Sequence, residues 1–106
     1  MQPKRGEVWL FDLGMAAKVR PVLVVSVAHG DEDRALISIV PHTTQLRGSA
    51  FEISVPAPFR QRGAFLVQGK TTHPKAWAIR KLGVLTQEQM ATVMVGLSNW
   101  LGIEQS

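Results

Sequence analysis

The segment Pro41-His42-Thr43-Thr44-Gln45 sets an imidazole, two neighbouring hydroxyls and a carboxamide directly behind the apolar run Leu36-Ile37-Ser38-Ile39-Val40. At the end of a strand, these groups suit binding and proton transfer better than core filling. A second apolar run, Val22-Leu23-Val24-Val25, is preceded by Arg20-Pro21. A guanidinium at the mouth of a strand, held beside hydroxyls, is a phosphate-binding combination. Because successive strand residues point to opposite faces, only one of Thr43 and Thr44 can accompany Arg20. Each group also has an ordinary use. Arg20 could pair with Glu7 or Asp12, and the threonines could be β-branched strand filling. A third candidate is Gln68-Gly69-Lys70-Thr71-Thr72. There Gly69 allows close backbone approach between an amide, a charge and hydroxyls, or simply forms a hairpin.

Other chemistries lack their residues. Cysteine is absent, and His29, His42 and His73 are isolated in sequence. Neither a His-Glu-x-x-His helix nor a calcium loop around Asp31-Glu32-Asp33 is present, so no metal and no cofactor is expected. A phosphate-cradling glycine loop and a serine nucleophile elbow are missing too. The remaining set of Arg, Thr, Gln and Lys, with His42 and His73 nearby in sequence, could bind single-stranded nucleic acid. Without a metal it could cleave only RNA, whose own 2′-hydroxyl is the nucleophile. That reaction needs proton transfer and neutralisation of charge on the phosphorane oxygens, and Arg20 suits the second task. Thr43 could orient the 2′-hydroxyl or donate to a phosphate oxygen. Charge supports an anionic partner. The net charge is +4, and between Arg34 and Lys81 eight basic residues face one acid, Glu52. Such a block is the footprint of a polyanion site, or a solvated basic face.

These groups need a scaffold. At 106 residues and 45% hydrophobic content, the chain fits one domain over 1–106. Strand patterns are expected over Gly6–Leu13, Val19–Val27, Ala35–Val40, Phe51–Val55 and Ala64–Gln68. His73-Pro74 should break the ladder, with a helical turn at Ala76–Ala78 before a strand over Ile79–Leu82. Pro21 must lie at a strand start or on an edge, since proline cannot donate to a ladder. One long helix follows. Thr86 and Gln89 form a capping-box pattern, Met90, Val93, Met94, Leu97 and Leu101 make an apolar stripe edged by Trp100, and Gly102 stops it. Short strands at this spacing with a closing helix favour a small barrel over a parallel sheet. A signal peptide is not expected, nor is an apolar run long enough to cross a membrane, which suggests a cytoplasmic protein.

Taken in order, several short motifs resemble the MazF/PemK (Kid) family of toxin endoribonucleases from bacterial toxin–antitoxin modules. They are Lys4-Arg5-Gly6-Glu7-Val8-Trp9 with Phe11-Asp12, Arg20-Pro21-Val22-Leu23-Val24-Val25-Ser26, Val40-Pro41-His42-Thr43-Thr44-Gln45, Phe51-Glu52, Gln68-Gly69-Lys70-Thr71, Lys81-Leu82-Gly83-Val84-Leu85 and the helix ending Leu101-Gly102. The resemblance implies a mainly β (α+β) fold: a small SH3-like barrel with a C-terminal α-helix, assembled as a homodimer. It also implies metal-independent, sequence-specific cleavage of single-stranded RNA to 2′,3′-cyclic phosphate and 5′-hydroxyl ends, and inhibition by an acidic antitoxin. The family's essential residues fall on Arg20 and Thr43, with RNA contacts implied at Lys18, Thr44, Gln45, Arg47, Gln68, Lys70 and Thr71. Two positions depart from the pattern. Val67 stands where many members have an Asp, which leaves His42 as a possible acid or base, and the loop from Gly14 to Val19 is short and lacks a Glu. Two rival readings remain open. One is a protein-targeting toxin like the gyrase poisons of the same fold, and the other is a catalytically silent RNA-binding or antitoxin-binding relative.

Overall fold

The computed structural model describes residues 2–14, 18–56, 59 and 62–103, and among these the chain forms seven antiparallel strands and one long helix. The strands are β1 (Glu7–Asp12), β2 (Val19–Val24), β3 (Leu36–Thr43), β4 (Glu52–Ile53), β5 (Ala64–Leu66), β6 (Thr71–Pro74) and β7 (Ala78–Val84), followed by α1 (Gln87–Leu101). Their order is β4-β5-β3-β2-β1-β7, with β6 also beside β3. One edge of β3 meets β2, while the other is shared by β6 over Leu36–Ile39 and by β5 at His42 and Thr43. The sheet is not closed. No ladder joins β6 to β7 among the described residues, although only the 3-10 turn Lys75–Trp77 separates them.

Alternation along the strands fills two cores, one on each face of the sheet. Val8, Leu23, Val25, Val40, Phe65 and Val67 meet Leu85, Met90, Val93 and Leu97 on the helix side. Trp9, Phe11, Val22, Val24, Ile37 and Ile39 form the opposite cluster. This is why β2 reads as a continuous β-branched run: both of its faces are covered. Each fully buried Val, Leu or Phe contributes about 1.5–3 kcal/mol relative to exposure.

Several boundaries differ from the sequence expectation. The run expected to reach Val27 leaves the ladder after Val24, and Val27 is 76% exposed. β3 continues through Pro41 and His42 to Thr43 instead of ending at Val40. β4 keeps only Glu52 and Ile53, yet Phe51, Ile53 and Val55 all pack on the helix-side core, as their alternation requires. His73 and Pro74 do not break the ladder. They end β6 opposite Ile37 and Leu36, where proline occupies the last position and interrupts nothing. On α1 the stripe ends early, since Leu101 is 50% exposed. Gly96 takes a buried place that apolar periodicity cannot register, because a Cβ there would lie 2.5 Å from Ile53 Cδ1.

The helix start follows its sequence signal. Gln89 donates its backbone N–H to Thr86 Oγ1 at 3.1 Å, and the Gln89 side chain accepts from the Thr86 N–H at 2.9 Å. Gly102 ends the helix with φ 72°. No helix among the described residues is long and apolar enough to cross a membrane. Losing the Thr86 hydroxyl should cost about 1 kcal/mol of stability. Thr86→Ala is therefore expected to lower Tm by about 4 °C in calorimetry, whereas Gln87→Ala, exposed in the same turn, should stay within about 0.5 kcal/mol of the parent.

Candidate functional site

The site begins where the β2–β3 ladder stops. The strands pair at Val24 with Ile39, Leu23 with Val40 and Val22 with Pro41, and no further. Val25 donates its N–H to Ser38 at 3.0 Å, while the Val24 carbonyl accepts from Gly6 at 2.9 Å on the β1 side. Alternate positions therefore turn toward β3: Val25, then Leu23, then Pro21. Pro21 has no N–H to donate. The strands part there, and Pro21 keeps only Leu10 of β1 as its ladder partner, so its sequence-expected edge position holds locally inside a central strand.

Continuing that register by two residues would set Arg20 directly opposite Thr43. Arg20 follows the face of Val22 and Thr43 that of Pro41, and cross-strand partners share a face. Thr43 is thus the threonine that accompanies Arg20. A cleft of about 320 Å³ opens at this fork, lined by Val19, Arg20, Pro21, His42, Thr43, Thr44 and Gln45. Thr44 joins the lining because β3 has ended before it. Among the described residues Arg20 makes no ion pair. Its sequence-stated rivals are occupied: Glu7 binds Lys81 Nζ at 2.9 Å, and Asp12 Oδ1 accepts the Gly14 N–H at 2.9 Å. Thr43 Oγ1 accepts the Gln45 N–H at 3.1 Å, which orients the hydroxyl and leaves its proton to be donated.

Two neighbours fix this strand end. Gly63 lies behind it with φ 138°, and a Cβ there would collide with the Thr43 carbonyl and reach within 2.8 Å of His42 Cε1. His42 points to the helix side of the sheet, edge-on to Phe59 and Phe65 with ring centroids 4.8 and 5.2 Å away. It is 5% exposed, and loss of solvent pushes its pKa below the usual 6.5, so the ring is neutral at pH 7.

A second cleft of about 280 Å³ shares Thr43 and Gln45 with the first and adds Arg47, Ser49, Glu52, Leu66 and Gln68. Sequence reasoning passed over Glu52 as the one acid of a basic block. Its carboxylate accepts the Arg47 N–H at 2.9 Å and the Ser49 N–H at 2.9 Å, and these backbone bonds hold its pKa below the ordinary carboxylate value. The spacing of an acid shortly after a glycine turn was the available signal.

Three sequence-derived candidates stand apart from both clefts. The Lys18 carbonyl accepts from Leu13 across the β1–β2 connection, and the Lys70 N–H closes the short 3-10 turn Val67–Gly69 onto Val67. Thr71 lies in β6, with its hydroxyl 2.8 Å from His73 Nε2. His73 in turn stacks on Trp77 at 4.8 Å. Val67 is fully buried against α1, so this position brings no titratable group to the cleft. Of the short loop from Gly14 to Val19, Met15, Ala16 and Ala17 lie outside the described residues.

Fold and site define a class: a curled antiparallel sheet capped by a C-terminal helix, with arginine, threonine and glutamine side chains gathered where its central ladder ends. Residues 4–101 match the family of the PemK-like, MazF-like toxin of type II toxin-antitoxin system, and the chain belongs to that family. Among solved structures, it is similar to an endoribonuclease in complex with its cognate antitoxin from a mycobacterial species, at 25% identity and TM-score 0.79, over 98% of this chain and 99% of that one. It is also similar to MazF from Deinococcus radiodurans, at 26% identity and TM-score 0.79 over 97% and 99% of the two chains. The MazE–MazF structure from the same organism, at 24% identity and TM-score 0.83 over 98% and 100%, shares the fold. No curated protein sequence matches the chain.

The lowered His42 pKa has a stability consequence. Below about pH 6.5 the unfolded chain gains a proton at this histidine that the folded chain refuses until its lower pKa is reached. Folding stability contributed by His42 is therefore present above 6.5 and lost as pH falls through the folded value. His42→Phe, which keeps an aromatic ring beside Phe59 and Phe65, should show a smaller drop in Tm between pH 7 and pH 5 than the parent. Equal slopes in a melting series across that range would contradict the assignment.

Proposed function

We propose that this chain is a metal-independent endoribonuclease toxin of the mRNA-interferase type. It cuts single-stranded RNA at short sequences and leaves 2′,3′-cyclic phosphate and 5′-hydroxyl ends. MazF-like toxins are endoribonucleases as a family, which supports the class of reaction. The observation that carries the reading for this chain is the shared face of Arg20 and Thr43 at the point where Pro21 ends the ladder. The RNA 2′-hydroxyl attacks the adjacent phosphorus, and the phosphorane collapses by expelling the 5′-oxygen. One proton must leave the 2′-oxygen and one must reach the leaving oxygen. Arg20 holds the non-bridging oxygens with its fork of donors and offsets the charge that grows on them. Thr43 donates its hydroxyl proton to a phosphate oxygen, its lone pair being engaged by Gln45. His42, the candidate acid or base, turns to the helix side of the sheet away from Arg20 and Thr43, so in this reading the 2′-proton passes to water and water protonates the departing 5′-oxygen.

Thr44, Gln45, Arg47 and Gln68 contact the strand along the two clefts, with Lys18, Lys70 and Thr71 outside them as further contacts. The same basic surface suits an acidic antitoxin segment, a partner supported by relatives solved with an antitoxin bound. Residues 1–106 act as one domain of a cytoplasmic homodimer. Burial of Val67 favours a second reading, a silent relative that binds RNA or antitoxin without turnover.

Defined RNA incubated in chelator, followed by mapping of the cut ends, tests the proposal. Cleavage with cyclic phosphate ends is expected, and Arg20→Ala should reduce kcat/KM by about 10²–10³-fold, the usual effect of removing one donor to a developing oxyanion. An Arg20→Ala chain that cuts as fast as the parent sinks the mechanism. Binding of 2′-deoxy-substituted RNA with no turnover of the natural strand would favour the silent reading.

A further inference from the structure

The second cleft owes its shape to one carboxylate. The segment from Thr44 to Ala50 carries Gln45 and Arg47 and contains no helix or strand of its own. Left to itself, such a segment would sample many conformations. Here its backbone is gathered onto Glu52. The two carboxylate oxygens accept the Arg47 N–H at 3.2 and 2.9 Å and the Ser49 N–H at 2.9 Å. Gly48 sits between these donors with φ 76°, the left-handed conformation that turns successive N–H groups toward one point. That arrangement is an anion-binding concavity of the kind that captures phosphates elsewhere, and in this chain it is filled from within. Ser49 closes the turn a second time, accepting the Phe51 N–H on Oγ at 3.0 Å and the Glu52 N–H on its carbonyl at 3.2 Å.

The anchor on the other side is firm. Glu52 belongs to β4 and pairs with Leu66 of β5, and its neighbour Ile53 pairs with Phe65 of the helix-side core. Its carboxylate thus transfers the rigidity of that core to a loop that has none. Thr43 Oγ1, bonded to the Gln45 N–H, fixes the other end of the loop. Between these two anchors, Gln45 and Arg47 face the cleft together with Gln68.

These three side chains carry the hydrogen-bonding patterns that read base edges: an amide pairs with adenine, a guanidinium with guanine. The cleft meets the scissile-phosphate cleft through the shared Thr43 and Gln45. We propose that Glu52 is a positioning residue that sets base specificity, by tying the Arg47–Ser49 backbone so that Gln45 and Arg47 present fixed edges to a nucleobase beside the scissile phosphate. This rests on the RNA-cleaving reading above and goes beyond it by naming what shapes the selective subsite. Glu52 itself stays bound to the loop and does not touch the reacting atoms.

The test compares parent, Glu52→Gln and Gly48→Ala on a pool of RNA sequences, with kcat and KM at the preferred site, Tm, and hydrogen exchange at the Arg47 and Ser49 amides. Glu52→Gln replaces one acceptor oxygen by an NH₂ group facing backbone donors. Gly48→Ala meets no atom within 4 Å and strains the same turn through φ alone. Both variants should speed exchange at these amides. Both should reduce the preference for the best site over the next best by about tenfold, within the range of one bidentate base contact, and raise KM while kcat stays within about threefold. A merely structural role would lower Tm and kcat and leave the ranking of sites unchanged, and that outcome overturns the inference. Unchanged amide exchange in Glu52→Gln overturns it as well. A parent that cuts no RNA overturns the functional reading beneath it, which the unchanged-ranking result in an active parent does not.

Discussion

The missing N–H of Pro21 is the constraint on which the working end of this molecule depends. In a central strand every N–H that faces a neighbour must find an acceptor, and a strand supplied with donors would continue to pair. β2 pairs with β1 from Val19 to Leu23 but with β3 only from Val22 to Val24. The interruption is therefore one-sided. β1 continues to hold Arg20 in register opposite Phe11 while the β3 side is released, so the guanidinium is carried on ordered backbone beside an opening. Across that opening the end of β3 stays ordered, because β5 pairs with its other edge at His42 and Thr43. The cleft is built from two strands that stop pairing with each other without either becoming loose.

β3 consequently bears most of the fold. It touches β2, β6 and β5 in turn, and its alternate residues feed both cores: Ile37 and Ile39 on one face, Val40 on the other. The helix does not contribute a side chain to either cleft. Its role is to cover the face opposite the Arg20 and Thr43 side chains, where Val93 and Leu97 meet Phe65 and Val67. Through Phe65 this cover reaches His42, and through Gly63 and Ala64 it reaches the Thr43 backbone. Closeness without a Cβ at Gly63 is what lets the β5 entry seat against that carbonyl. Packing on one face therefore sets the geometry presented on the other.

Much of this was legible because it depends on local rules. The Thr86 and Gln89 pair located the helix start, and strand parity allowed only one of Thr43 and Thr44 to stand beside Arg20. Motif order identified the family, a fact that no single motif carried. What escaped was non-local. That β3 runs on through Pro41 follows from β5 receiving its end, which no window of sequence displays. His73 and Pro74 read as a break because proline's position within a ladder, and not its presence, decides whether pairing is lost. Glu52 was hidden for the same reason: its significance lies in backbone N–H groups that carry no sequence signature. Lys18 was drawn in by family resemblance, and Lys70 and Thr71 also by their place beside Gly69, yet none of the three lines either cleft.

The electrostatics of the cleft divide the chemical work unevenly. In the proposed reaction Arg20 offers phosphate oxygens a planar fork of donors. His42 is different. The phenylalanines that seat it withdraw water from the ring and favour its neutral form. That desolvation makes the imidazole a weak base, and its place on the helix side of the sheet turns it away from Arg20 and Thr43. Val67 brings no titratable group to the cleft either, being enclosed by the helix-side core. For the proposed cleavage, such a site would draw its rate enhancement mainly from stabilising the charged phosphorane and from holding the 2′-oxygen in line, with proton transfer contributing less. A fork of donors on ordered backbone, an oriented hydroxyl and a loop tied to the core are the components that suit that division of labour.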